Sequence, residues 1–179
     1  MTRDQLRECL HLGSIRNTNR ILYNLSDYLM SIREGYQTVY YLSKQGRSHV
    51  DCEKIRKKGG HVNHIVMRND MWLFSNQPKD WKNEVKVSDG TVSIVVDSMF
   101  TDTWDRKHFL EVDSTQTMKE NRNKIKRYEE LLHNGLVEEK LGHFPTLVWL
   151  TTTEHRRDQL KKECAGLQAV MVFTISDIK

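Results

Sequence analysis

Between Thr91 and Tyr128 the chain changes its hydrophobic period twice. TVSIVVDSMF, read by alternation, predicts a buried strand ending in Asp97. HFLEVDSTQT predicts a second strand carrying Glu111 and Asp113, and MKENRNKIKRY continues into an amphipathic helix. Residues two apart on a strand share a face, so Glu111 and Asp113 point the same way, and Asp97 joins them if the two strands pair. Three carboxylates would then converge at a sheet edge. Like charges held that close need a divalent cation, a shared proton or nearby basic groups. The helix offers Lys119, Arg122, Lys124, Lys126 and Arg127. Solvated strand ends give the same acidic pattern, so spacing alone leaves both readings open.

The same periodicities divide the rest of the chain. Asp4 to Leu10 predicts a short helix, His11-Leu12-Gly13 a turn, and Ser14 or Asn17 the cap of a second helix reaching about Asp27. That helix turns Ile21, Leu22 and Leu25 inward and Arg16, Asn17, Asn19, Arg20 and Asn24 outward. Tyr28 to Arg33 and Gln37 to Leu42 read as a hairpin, which after such a helix pair is a wing. The outward side chains suit phosphates and base edges in a major groove. Residues 43–60 are polar and basic and end in Gly59-Gly60. A boundary at 51–60 is expected between a partial winged helix at 1–50 and a larger domain at 61–179.

The larger domain should begin with a helix, His61 to Asn76. Strands follow at Trp81 to Val87, Thr91 to Ser98 and Phe109 to Asp113, then a helix from Thr115 to Asn134 closed by Gly135. A fully apolar strand at Phe144 to Thr151, a charged helix at Glu154 to Cys164 and a strand at Gln168 to Thr174 complete the order. The expected fold is α+β: three antiparallel strands, then crossovers to parallel ones.

Charge sharpens this division. Residues 1–60 hold 11 Lys or Arg against 6 Asp or Glu, and the remainder 17 against 18, so the positive excess lies in the first third. Such asymmetry fits a nucleic-acid contact joined to a second function, and a solvated basic surface fits it too. No run approaches the roughly 20 apolar residues of a membrane span, and MTRDQLRECL is too charged for a signal peptide, so a cytoplasmic protein without a membrane partner is expected. Cys9, Cys52 and Cys164 lack the spacing of a disulfide framework or zinc site. His61 and His64, one helical turn apart, fit a core-facing helix better than a metal site.

The element order, with VVDSMF, LEVD and KIKRY at these positions, resembles the restriction-endonuclease-like fold of the PD-(D/E)XK nuclease superfamily. Together with the winged-helix segment ending YYLSKQGR, it is similar to the replication-relaxation family of Gram-positive plasmids and phages. The resemblance implies DNA as partner and a role in replication, relaxation or mobilisation, with magnesium or manganese as cofactor if the site is active. Asp97 matches the Asp of the motif and Glu111 its second acid, both as metal ligands. Val96 stands in place of the motif's Pro and Asp113 in place of its Lys. Asp113 could serve as a third metal ligand, and the lysine could come from the helix, as Lys124, one turn from Tyr128, or as Lys119. Glu84 is a further candidate carboxylate. An endonuclease or nickase and a non-enzymatic replication accessory or regulator with a degenerate nuclease fold both follow, and a homodimer is left open. The chain starts at what would be the second helix of a winged helix, so either a partner subunit covers Leu22 and Leu25 or the DNA-binding module is incomplete.

Overall fold

The computed structural model describes residues 1–55 and 61–179. They form two compact units, Met1–Leu73 and Phe74–Lys179. The fold is α+β, with a two-stranded antiparallel sheet in the first unit and a five-stranded mixed sheet in the second.

In the first unit, helix α1 (Arg3–Cys9) starts from a capping box between Thr2 and Gln5, and Ser14 caps helix α2 (Ile15–Asn24) by accepting from the Asn17 N–H. Strands β1 (Leu29–Glu34) and β2 (Gln37–Leu42) form the expected hairpin. Met1 extends it, exchanging backbone hydrogen bonds with Tyr40 at 3.0 and 2.8 Å. Part of the polar stretch read as leading into a linker is ordered as helix α3 (Lys44–His49), capped by Ser43. Residues 56–60 of the expected linker lie outside the described residues. The two compact units divide between Leu73 and Phe74, and helix α4 (Val62–Phe74) is tied to α1. The buried Gln5 amide donates to the Val66 carbonyl at 2.8 Å and to Asp70 Oδ1 at 2.7 Å. Leu22 is buried and Leu25 is 41% exposed, so only one of the two apolar side chains expected to need a cover remains open.

Gly46 seats α3. A Cβ there would lie 2.1 Å from the Tyr28 carbonyl oxygen, a backbone atom that cannot rotate away. Gly46→Ala is expected to lower stability by about 1–3 kcal/mol, read as a fall in the urea midpoint. An unchanged midpoint would show that α3 does not pack on Tyr28.

The second unit has strand order β3 (Lys82–Ser88), β4 (Ser93–Thr101), β5 (Lys107–Asp113), β6 (Thr146–Thr151) and β7 (Val170–Thr174). The first three are antiparallel, and β6 and β7 join in parallel. Helices α5 (Met118–Asn134), α6 (Leu136–Leu141) and α7 (Glu154–Glu163) make the connections. Thr117 and Glu120 form a capping box at the start of α5, and Gly135 ends it at φ 72°. Ile125, Tyr128, Leu131, Val137 and Leu160 from these helices pack with Ile94, Val96, Phe109, Leu147 and Trp149 from the sheet. Six of the seven residues of β5 are buried, as expected of a central strand covered on both faces.

Candidate functional site

Strands β4 and β5 pair from Thr101 and Lys107 as far as Ser98 and Leu110, and there the ladder between them stops. Beyond it β4 continues against β3 and β5 against β6. The sheet therefore opens where Asp97 and Glu111 follow one another across the two strands. Asp97 Oδ2 accepts from the Val112 N–H at 2.7 Å, so a side chain satisfies a backbone donor that a continued ladder would have used.

Glu111 is 1% exposed and faces α5. The Lys124 ammonium donates to Oε2 and the Tyr128 hydroxyl to Oε1. Asn121, Lys124 and Tyr128 recur at three- and four-residue spacing, so one stripe of α5 lies along the acidic face of β5. Burial pushes the Glu111 carboxyl up to about 8; the Lys124 charge opposes this and the Asp97 charge adds to it. Tyr128 is raised well above the usual phenol range by burial and then by Glu111, so it remains a hydrogen-bond donor.

Asp113 shares the face of Glu111 but belongs to a separate set of partners. Arg156 of α7 grips it from Nε and Nη2, each at 2.6 Å. Asn121 donates to Oδ1 at 2.8 Å and Thr151 to Oδ2 at 2.7 Å. Burial pushes this carboxyl up, but the bonds from Arg156, Asn121 and Thr151 outweigh it and hold the group below the usual aspartate range. Asp113 is thus enclosed by donors, and among the described residues no group of three or more His, Cys, Asp or Glu side chains is placed to hold a metal ion. The three-carboxylate cluster anticipated from spacing resolves into an Asp97–Glu111 neighbourhood and an Asp113–Arg156 pair.

Lys119 is exposed in the first turn of α5. Glu84 is exposed on β3 with its backbone at φ 56°, flanked by the ladder pairs Asn83–Ser98 and Val85–Val96. In the first unit, Arg16, Asn19, Arg20 and Asn24 are exposed along α2. Asn17 is committed locally: its amide donates to the Leu12 carbonyl at 2.9 Å, and its Oδ1 accepts from Arg20 Nη2 at 2.9 Å. Asn19 borders a cavity of about 140 Å³ shared with Arg3, Arg33, Tyr36 and Tyr40, so helix and wing present one polar concavity.

Arg156 had no place in the sequence reading. Its only local signal is that a charged helix follows the strand paired to β5, and Arg157 carries the same signal. Asn121 was missed too, although its place three residues before Lys124 and seven before Tyr128 on one helix was a signal that could have found it.

A family model described as replication-relaxation matches residues 1–147 of the chain. No curated protein matches it.

Proposed function

Since the chain belongs to the replication-relaxation family, we propose that it acts on plasmid or phage DNA, holding duplex through α2 and the β1–β2 wing. We assign a nuclease-like role, cleavage or nicking of a phosphodiester bond, to Asp97, Glu111 and Lys124. The observation that carries this reading is the placement of the Lys124 ammonium on Glu111, beside Asp97, where the strands part.

The donor chemistry fits a divalent cation. Magnesium is commonly held by one or two carboxylates together with substrate phosphate, and Glu111, whose carboxyl is raised by burial and further by the Asp97 charge, would be favoured in its ionised form by a cation. Asp97 and Glu111 would hold magnesium or manganese, which when bound polarises a phosphate and acidifies a water. Lys124 places an ammonium where negative charge develops on phosphate, the task that the motif assigns to the position of Asp113. Tyr128 fixes the Glu111 carboxylate by hydrogen bonding and is a positioning residue. Arg156 and Asp113 brace α7 against the end of β5.

A second reading is favoured by the enclosure of Glu111: a DNA-binding replication factor whose nuclease-like unit serves as scaffold. Supercoiled plasmid incubated with magnesium or manganese separates the two. Nicked or linear product that disappears in Glu111→Gln and Lys124→Ala is the expected result. Plasmid left supercoiled but retarded on a gel would sink the nuclease assignment and leave the scaffold reading. Exposed charges on α2 predict a further result: Arg16→Ala weakens duplex binding uniformly across sequences and lowers the salt slope by about 0.9 for each phosphate left without its cation.

A further inference from the structure

The hairpin joining β4 to β5 presents Trp104 with 74% of its surface exposed. We infer that this hairpin is a stacking platform for a base of single-stranded nucleic acid, with Trp104 as the ring and Arg106 as its flanking cation.

The loop is built to hold that ring out. Asp102 Oδ1 accepts from the backbone N–H groups of Trp104 and Arg106, each at 2.9 Å, and Oδ2 accepts from Arg106 Nε at 2.9 Å. The same carboxylate lies 3.0 Å from Nε2 of the buried His108, which anchors the loop to β5. Beneath the loop, His108 stacks on Phe100 and Phe100 on Trp81, with ring centroids 5.0 and 4.8 Å apart. Trp104 thus stands on a braced support and needs little ordering when it binds.

The charge around the ring identifies the occupant. The Arg106 guanidinium lies over one face of Trp104 at 5.0 Å, and the exposure of the ring leaves its other face to solvent. Lys107 follows in sequence, and Lys79 and Lys82 flank Asp80, whose carboxylate joins this end of β4 by accepting from Thr101. Asp80 spends its oxygens on Thr101, and Asp102 and Arg106 pair with each other; the exposed Asp105 beside the ring is the open acid, against Lys79, Lys82 and Lys107. An exposed aromatic face with Arg106 on one side and lysines on the neighbouring segments suits a base and its phosphates, and every base has a π-face, so the contact is tolerant of sequence. In duplex DNA the bases are already stacked on each other, and the platform selects a melted or displaced strand. Such stacking requires DNA or RNA as partner but is independent of whether a bond is cut.

The test uses the full chain, a fluorescein-labelled 20-nucleotide oligothymidine and a duplex of equal length. Oligothymidine should quench tryptophan emission. Trp104→Ala should abolish most of that quench and weaken single-strand affinity about tenfold, within the roughly 5- to 150-fold range of a stacked base. Duplex affinity should be unchanged and Trp104→Phe should retain most of the single-strand affinity. A solvent-exposed ring can be removed without opening the core, and an unchanged thermal midpoint checks this. Equal oligothymidine affinity in wild type and Trp104→Ala, or failure of the wild type to bind oligothymidine, would overturn the assignment; in the latter case a protein occupant becomes the reading of this surface.

Discussion

Arg156→Gln is expected to cost about 3–5 kcal/mol of unfolding free energy, because it strands the Asp113 carboxylate in the interior. The Asp113 side chain is fully buried, whereas that of Arg156 keeps 25% of its surface exposed. The two losses are therefore unequal. Glutamine cannot replace the fork that meets both Asp113 oxygens, and only Asn121 and Thr151 remain to oppose the desolvation of the acid. Asp113→Asn should cost less, since it leaves an arginine with access to water. The double variant Asp113→Asn/Arg156→Gln should recover much of what Arg156→Gln loses, because no buried charge is left unpaired. Urea unfolding of all four proteins measures this. An Arg156→Gln variant within about 1 kcal/mol of wild type would mean that the pair is no more than a surface contact. The Asp113 carboxyl is held below the usual range, so its stabilisation is complete at neutral pH and is lost only as pH falls through that lowered value.

This pair also marks where sequence reasoning stops. Alternation placed β4, whose period is enforced by one covered face, and the apolar run placed β5, while the resemblance brought in Lys124 and Tyr128, one turn apart on the next helix. Those are local signals. The partner of Asp113 comes from 43 residues further on, and its selection over Arg157 depends on the rotation of α7 against the sheet. Arg157 turns instead to Asp177, at 3.1 Å. The same limit explains α4. Its apolar positions were visible, but its attachment to α1 rests on Gln5, a polar residue buried by partners 61 and 65 residues away. Helix α3 was missed because a polar six-residue segment has no apolar stripe; it is fixed by the Ser43 cap and the close approach of Gly46 to Tyr28. Spacing thus singled out Asp97, Glu111 and Asp113, the resemblance added Lys124 and Tyr128, and tertiary packing set Glu111 against Lys124 and Asp113 against Arg156.

Glu111 should make stability respond to pH in the opposite sense from Asp113. Its pKa is raised, from 4.5 to about 8, so the folded protein holds a proton that the unfolded chain releases in the ordinary carboxylate range. The stabilisation is then complete in acid and is lost as pH rises through about 8. Each unit of difference between the folded and unfolded values is worth about 1.4 kcal/mol, and full burial leaves little solvent to screen it. Glu111→Gln has nearly the same shape, keeps an oxygen for Tyr128 and cannot ionise. Its advantage over wild type should grow between about pH 5 and about pH 9. Lys124→Met, which removes the charge opposing the rise, should shift the wild-type loss to higher pH. A divalent cation bound by Asp97 and Glu111 should act in the other direction: it favours the carboxylate and flattens the fall in wild type but not in Glu111→Gln. Unfolding midpoints across that pH range, with and without magnesium, therefore test the carboxyl and its cation without requiring cleavage. Parallel pH curves for wild type and Glu111→Gln would show that Lys124 already holds Glu111 ionised. The pair would then be a closed internal salt bridge, and the scaffold reading of this unit would take precedence over the nuclease one.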